Sequence, residues 1–300
     1  MIRKTASIPI AALLLSFLVV GCRTLPQSAA SPTGIPLEID DVRAERVLAS
    51  YLEQVDARSG LRGSARVKLT GPDFKLNRPQ RIVVERPARL RFEVIGLFDQ
   101  LAAVLVTDGG RFGYYDASNG EISRGRVTST LLWDLAQIDL DAEEAVGLLL
   151  GAPAPSLGVA RAGVWLEAND RIALGFAWPR DRNRKGCELE PERALLDAAC
   201  FLATRALDAG GEIFVFDGDG RLAELRALGA DGVVRFRAFF EDYAERAGAD
   251  SAVEFANRVT IRSPGVGAEA RFVWKRVMLG GPLSDRLFTL PVRGASGREG

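Results

Sequence analysis

Few residues of this chain belong to the types that carry out chemistry, and one common type is missing. The 300 residues include no histidine, which removes the usual general base and the commonest metal ligand. Acidic residues are dense between Asp139 and Glu144 and could supply a carboxylate pair for hydrolysis. Because Asp141, Glu143 and Glu144 also stand where acids stabilise the first turn of a helix, we expect that role for them and expect no enzyme.

The first of the three cysteines has a distinctive setting. Arg3 and Lys4 precede an apolar run from Ile8 to Val20, and Gly21-Cys22 follows it. The run is too short to span a bilayer, and its charged start and small-residue end are typical of a secretory signal peptide. The ending resembles the lipobox of bacterial lipoproteins, which implies that Cys22 is lipidated and begins the mature chain. An ordinary signal peptide that happens to contain a cysteine is the alternative.

Lipidation at Cys22 would determine where the protein works. Acyl chains contribute about 0.8 kcal/mol per buried CH₂ group, so three chains would anchor the protein permanently. The next residue is Arg23, whereas the usual bacterial sorting rule retains lipoproteins with Asp at that position in the inner membrane. We therefore expect a protein anchored by lipid in the outer membrane and facing the periplasm.

The other two cysteines, Cys187 and Cys200, could form a disulfide in an oxidising periplasm. Closing a loop of that length would contribute about 3 kcal/mol on a chain-entropy estimate. Two buried free thiols are the alternative, because spacing along the chain does not reveal the distance between two side chains.

The charge balance excludes one class of partner. Lysine and arginine together number 39, as do aspartate and glutamate, so the formal net charge is zero. Nucleic-acid-binding proteins carry a basic excess that this chain lacks. We expect no nucleic-acid partner, no cofactor and no metal.

The stretch from Arg89 to Asp116 predicts three antiparallel strands around which the chain is organised. The connection between the first two strands is unusual, because Leu97 and Phe98 stand at its tip. Exposure of this pair would forgo roughly 1.5–3 kcal/mol of burial per side chain. The loop therefore either folds back onto the protein or contacts an apolar partner.

The remaining elements fit one curved sheet. A helix is predicted over residues 40–57, and two short apolar helices over 129–137 and 141–151. About ten segments alternate as strands do, and a sheet of that size must curl. We therefore predict an α+β fold, in which a curved antiparallel sheet forms an open half-barrel and short helices act as a lid over an apolar cavity. Periodicity does not distinguish a hollow interior from a packed one.

Composition divides the chain into four parts. Residues 1–21 form the signal peptide, and residues 22–38 form a lipidated N-terminus and a flexible tether rich in Pro, Ser and Ala. One domain spans 39–290, within which 181–207 is the least strand-like segment and could be an insertion. Residues 291–300 are polar and Gly-rich, so we expect a frayed tail.

The order of these elements resembles the LolA/LolB family of bacterial lipoprotein carriers over roughly Leu61 to Leu279. The shared features are an N-terminal helix, strands, an apolar loop at Ile95-Gly96-Leu97-Phe98, a strand ending in a Gly turn, helices ending in Leu-Gly-Ala-Pro at 150–153, and a second set of strands. The resemblance is closer to LolB, which is itself a lipoprotein, as Cys22 implies here. The chain is longer than a typical LolB, mainly around 181–207 and at the C-terminus.

The resemblance implies a transport function without covalent chemistry. The protein would bind the acyl chains of lipoproteins, receive them from a periplasmic LolA-like carrier and insert them into the inner leaflet of the outer membrane. Leu97 and Phe98 would enter the bilayer during release, and we expect a monomer. The alternative is a structural or envelope-assembly lipoprotein with a LolB-like fold and a different lipid cargo or none.

The implied acyl-chain cavity has a sheet wall and a helical lid. The sheet wall would consist of Leu90, Phe92, Val94, Leu105, Phe112, Phe236 and Trp274. The lid would contribute Leu132, Trp133 and Leu149. For each of these residues, ordinary packing in a filled core is the alternative.

Overall fold

The structure is a computed structural model that describes residues 34–178, 210–248 and 252–290, together with Pro32 and Leu207. Cys22, Cys187 and Cys200 lie outside the described residues, as do the signal peptide, most of the tether and the 291–300 tail. Apart from Leu207, the segment expected to be an insertion also lies outside them. Lipidation and the disulfide therefore stay predictions.

The described residues form one sheet of fourteen strands with three α-helices. The strands are β1 (Ile35–Leu37), β2 (Gly60–Thr70), β3 (Lys75–Glu85), β4 (Arg89–Ile95), β5 (Leu101–Asp108), β6 (Arg111–Asp116), β7 (Glu121–Arg126), β8 (Ala160–Glu167), β9 (Arg171–Ala177), β10 (Gly211–Phe216), β11 (Leu222–Leu228), β12 (Val234–Ala247), β13 (Ala252–Ser263) and β14 (Ala268–Gly280). The helices are α1 (Val42–Ala57), α2 (Leu131–Ala136) and α3 (Ala142–Leu149), and a 3₁₀ turn spans Asp285–Phe288.

The sheet is two antiparallel meanders joined side by side. Its order is β1-β8-β9-β10-β11-β12-β13-β14-β2-β3-β4-β5-β6-β7. Most neighbouring strands are also neighbours along the chain, since a hairpin closes a short loop at little entropic cost. The two meanders meet where β14 pairs with β2 along its whole length. Within the described residues β1 and β7 each pair on one side, so the sheet is open.

The sheet has more strands than the ten or so expected, and it begins earlier in the chain. Ile35–Leu37 lie in the stretch predicted as tether, but they pair with β8, with Ile35 opposite Leu166. A three-residue strand carries no readable alternation, and Pro36 is tolerated there because an edge strand needs few N–H donors. Strand β7 forms the other edge of the sheet.

Helices α1 and α3 begin within two residues of their predicted starts at 40 and 141. The Asp41 side chain accepts hydrogen bonds from the backbone N–H groups at the start of α1. At α3, Asp141 accepts from the backbone N–H of Glu144, whose side chain accepts in turn from the backbone N–H of Asp141. Gly151 follows α3 with a φ of 67°, which favours glycine. Among the described residues, no helix has the length and apolarity that a membrane crossing requires.

The helices and one face of the sheet share an apolar core. The ring of Tyr51 on α1 contacts Phe214 and Phe216 on β10, with centroid separations of 5.9 and 5.1 Å. Helix α3 contacts β3 and β4 instead. The inner face therefore has two covers, with α1 on one meander and the α2–α3 pair on the other.

Strand β5 is buried on its outer face as well. Val104 and Val106 point away from the helices, yet both are almost fully buried. The segment after β14 accounts for this, because the 3₁₀ turn that contains buried Phe288 contacts β4 and β5. Leu290 lies so close to Gly113 on β6 that an added Cβ would be 2.9 Å from it. The apolar sequence on both faces of β5 is thus explained by a covering segment from the other end of the chain.

Candidate functional site

An apolar cavity of about 260 Å³ lies between the inner face of the sheet and the α2–α3 pair. Seven neighbouring strands contribute to its wall, from β13 through β14, β2, β3, β4 and β5 to β6. The volume approaches the ~300 Å³ at which ligand pockets begin. Its walls are mainly aliphatic and aromatic, so the site suits an apolar ligand and offers water few partners.

Five of the predicted cavity residues lie on this wall. Phe92, Val94 and Leu105 line it from the sheet, and Leu132 and Leu149 line it from α2 and α3. Phe92 is the cross-strand partner of Leu105, and Val94 alternates onto the same face. The structure therefore brings these side chains together around one space.

Three other predicted residues are buried in packed core beside the cavity. Leu90, Phe236 and Trp274 are all in the apolar core and do not line the space. Trp274 packs edge-on against Phe255 at 5.9 Å, and its ring covers Gly63, where an added Cβ would be 3.0 Å from it. These large side chains point to the correct face, but close neighbours fill the space in front of them.

The remaining two predicted residues lie at the margins. Phe112 is on the inner face of β6, but its ring lies over Gly125 of the edge strand β7, where an added Cβ would be 2.6 Å away. Trp133 is 37% exposed on α2, because the helix turns it away from neighbouring Leu132, which faces the cavity. Neither side chain lines the cavity.

The sequence reasoning missed most of the wall. The additional lining residues are Val67, Leu69, Phe74, Leu76, Gln80, Ala103, Tyr114, Leu135, Ile138, Leu140, Ala145, Ile261 and Phe272. Alternation along β2 and apolar spacing in α2 could have found several of them. No sequence signal distinguishes Gln80 from an ordinary exposed polar residue on a strand.

Three long side chains donate hydrogen bonds to the backbone carbonyls that follow the C-terminal end of α3. Nη1 of Arg58 donates to the carbonyl of Gly151 at 2.9 Å, and the hydroxyl of Tyr51 donates to that of Pro153 at 2.5 Å. Arg86 donates to the carbonyl of Ala152 between them. Burial lowers the pKa of Arg58 and of Arg86. The carbonyls of the Leu-Gly-Ala-Pro segment are thus the partners of the buried guanidinium group of Arg58 and the half-buried one of Arg86.

The N-terminal end of α3 is fastened by an ion pair. Arg235 on β12 binds the Glu144 carboxylate, with Nη1 at 3.1 Å from Oε2, and donates to the carbonyl of Asp139 at 3.2 Å. Burial raises the pKa of Glu144 even though Arg235 favours its ionised form. The acidic cluster that could have suggested hydrolysis therefore caps a helix and holds it to the sheet.

Helix α2 is held by fewer side-chain hydrogen bonds and ion pairs than α3. Thr130 precedes it without a side-chain cap, and Gln137 ends it in the left-handed region with a φ of 54°. The Gln137 side-chain oxygen is buried and accepts no hydrogen bond from any described residue. Of the two helices over the cavity, α2 is therefore the one that can move at lower cost.

The loop between β4 and β5 holds its apolar tip in solvent. Leu97 is 76% exposed and Phe98 is 89% exposed. The backbone N–H of Gly96 donates to the backbone carbonyl of Gln100 at 2.7 Å. The backbone N–H of Phe98 donates to the side-chain oxygen of Gln100 at 2.8 Å. The tip therefore does not fold back onto the protein, which was the first of the two alternatives that the sequence left open.

Comparison with known proteins finds solved structures whose backbones are similar to that of this chain. No family model matches the chain, and no curated protein matches it. Its backbone is similar to a DUF1329 family protein from Desulfovibrio piger, at 12% identity over 83% of this chain and 97% of that chain, with a TM-score of 0.49.

Two further solved structures are similar to a comparable degree. One is a LolA superfamily protein from Nitrosomonas europaea, at 11% identity over 81% of this chain and 97% of that chain, with a TM-score of 0.45. The other is a putative outer membrane lipoprotein-sorting protein domain from Vibrio parahaemolyticus, at 10% identity over 81% and 94%, with a TM-score of 0.48. At these identities and TM-scores, none of the three assigns a function to this chain.

Proposed function

We propose that this protein binds the acyl chains of lipoproteins in the cavity under α2 and α3. It receives them from a periplasmic carrier of the LolA type and releases them into the inner leaflet of the outer membrane, where lipid on Cys22 anchors it. The observation that carries the proposal is the placement of an apolar cavity of about 260 Å³ beside a loop with an exposed Leu-Phe tip.

The cavity supplies the driving force for binding. Each CH₂ group moved from water into an apolar site gains about 0.8 kcal/mol, so an acyl chain gains several kcal/mol from this wall. A space of about 260 Å³ holds part of a three-chain lipid, so further chains require α2 to move outward. Direction follows from increasing affinity along carrier, receptor and bilayer, without nucleotide or covalent chemistry.

The loop supplies the contact with the membrane. Val94 and Ala103 line the cavity, and the loop begins two residues beyond Val94. Leu97 and Phe98 each gain about 1.5–3 kcal/mol when buried in a bilayer. Insertion of the tip would place the cavity against the lipid phase, so that leaving chains need not cross water.

The alternative, a structural or assembly lipoprotein, is less well supported by this geometry. A sheet that serves only as a scaffold needs a filled interior, since cavities lower stability. The packed core around Trp274 shows that large side chains fill the space elsewhere in the same sheet. A hollow region on one side of the core supports a ligand-binding role.

A transfer assay tests the proposal. A soluble carrier of the LolA type is loaded with a labelled acylated lipoprotein and mixed with the mature chain carrying Cys22→Ala, with and without liposomes. We expect the label to move to this protein, and from it to liposomes only when Leu97 and Phe98 are intact. Met278→Glu, at a residue 66% exposed on the outer face of β14, is the matched control. Label that stays on the carrier would contradict the proposal.

A further inference from the structure

Gln80 is a buried polar residue in the centre of the apolar cavity wall. It lies on β3, the middle one of the seven strands that line the cavity, and is 5% exposed. Its cross-strand partners are Ala65 on β2 and Val94 on β4, which offer its amide no side-chain partner. No hydrogen bond joins the Gln80 side chain to any described residue.

The other polar residue on the described wall is too far away to be its partner. Tyr114 lies on β6, three strands from β3. Strands are about 4.8 Å apart, so the two side chains start roughly 14 Å from each other. Between them stand the apolar residues Val94, Ala103 and Leu105. Arg78 lies two residues along the same face of β3, opposite Val67, but it does not line the cavity and no hydrogen bond between described residues joins it to Gln80. The neighbours of Gln80 that line the cavity are apolar.

An amide in such a place needs an explanation. The amide atoms of Gln80 are not fully enclosed by protein but face the cavity, where a leucine of similar size would suit the apolar wall better. The amide offers two N–H donors and one carbonyl acceptor to whatever enters the cavity. A ligand that consisted of hydrocarbon alone would leave all of these groups without a partner.

We propose that Gln80 is a specificity-determining residue whose side-chain N–H donates a hydrogen bond to the carbonyl oxygen of an acyl ester or acyl amide. This inference rests on the proposed function and names the part of the lipid that the cavity recognises. The carbonyl lies at the centre of the wall, with apolar surface from Val67 and Phe272 on one side and from Phe92 and Leu105 on the other. The site thus selects acyl-linked lipids over ether lipids of equal length.

Three matched probes test the carbonyl directly. They are 1-monolauroylglycerol with an ester, its N-lauroyl analogue with an amide, and 1-O-dodecylglycerol, an ether without a carbonyl. Affinity is measured by displacement of an environment-sensitive apolar dye from the full mature chain carrying Cys22→Ala. We expect the ester, the amide or both to bind about 2- to 10-fold more tightly than the ether, the range expected for one hydrogen bond. The ester and amide arms show which linkage is preferred.

Two variants assign the preference to Gln80. In Gln80→Leu and Gln80→Met we expect the ether to bind at least as tightly as in wild type and the preference for the carbonyl to disappear. Asn77→Leu, at an exposed residue on the outer face of the same strand, is the control that should keep it. The infrared carbonyl band of the bound ester gives a second readout, lowered by the hydrogen bond in wild type and not in the two variants.

The outcomes separate this inference from the proposed function. Equal affinity for all three probes in wild type, or a preference that survives in both Gln80 variants, would overturn the role of Gln80 and leave acyl-chain binding in place. Failure of wild type to bind any of the probes would instead contradict the proposed function itself. Thermal unfolding shows whether each variant is folded, and the wild-type comparison of probes needs no variant.

Discussion

Val94 on β4 and Ala103 on β5 are cross-strand partners, and both side chains line the apolar cavity near the exposed loop that joins their strands. The pair therefore connects the two features from which a function is proposed. Val94 and Ala103 are small enough to leave room in front of them, whereas larger residues fill the core near Leu61 and Trp274.

Filling the cavity should abolish ligand binding without unfolding the protein. Ala103→Phe places a ring in the space that an acyl chain would take, so we expect affinity for a fluorescent fatty-acyl probe to fall at least about 10-fold. The free energy of unfolding should change by less than about 1 kcal/mol, whereas a packed site would lose about 1–3 kcal/mol. Ala102→Phe, which points to the opposite face of the same strand, is the control. Undiminished binding would show that the probe binds elsewhere.

Removing the apolar tip should weaken membrane contact and leave stability unchanged. Leu97→Glu and Phe98→Glu each delete burial of about 1.5–3 kcal/mol, so partition onto phospholipid vesicles should fall about 10- to 100-fold for each substitution. Flotation of vesicles with the mature chain carrying Cys22→Ala measures the effect. Because both residues are exposed, the denaturant midpoint should match that of wild type. A loss of the same size in Met278→Glu would mean that the effect is not specific to the loop.

Breaking the fastening of α3 should destabilise the fold. Arg58→Leu removes the donors to the carbonyls of Gly151 and Glu254, which lie at 2.9 and 2.6 Å. Leaving these carbonyls without donors should lower the free energy of unfolding by about 1–3 kcal/mol, measured by urea titration. Arg62→Leu, on the exposed outer face of β2, should change it by no more than about 0.5 kcal/mol. Equal effects of the two substitutions would mean that the fastening contributes nothing.

The carboxyl of Glu212 should produce a pH dependence of stability. Burial raises its pKa above the ordinary 4.5, although the backbone N–H and hydroxyl of Ser156 donate to it at 2.9 and 2.6 Å and lower the pKa. The folded state then binds this proton more tightly than the unfolded state. Its contribution to stability is therefore complete below pH 4.5 and is lost as the pH rises through the raised folded-state pKa.

Glu212→Gln keeps an oxygen acceptor for Ser156 but cannot ionise. Relative to wild type it should gain stability as the pH rises from about 4 to about 7, measured by urea unfolding at several pH values. Glu121→Gln, at an exposed residue on the edge strand, is the control. If the difference between Glu212→Gln and wild type does not change with pH, the pKa of this carboxyl is not raised.

The sequence by itself predicts the local elements of this protein well. The sequence marks the start of α1 at Asp40 or Asp41 and that of α3 at Asp141, because a short acidic side chain can satisfy the free N–H groups of a first turn. Alternation correctly indicates that Leu90, Phe92 and Val94 share one face of β4. The lack of histidine in the 300 residues shows, without any structure, that no imidazole of this sequence serves as a general base or metal ligand.

The tertiary structure decides which of those residues meet a cavity. Leu90 and Phe92 follow the same alternation, yet Leu90 is in packed core and Phe92 lines the space. Alternation determines the face on which a side chain lies, but the distance to the opposite layer depends on helices and strands that come from remote parts of the chain. Gln80 shows the same limit, since a polar residue on a strand has no local feature that marks it as buried. The cavity is a property of packing between distant segments, which no local pattern contains.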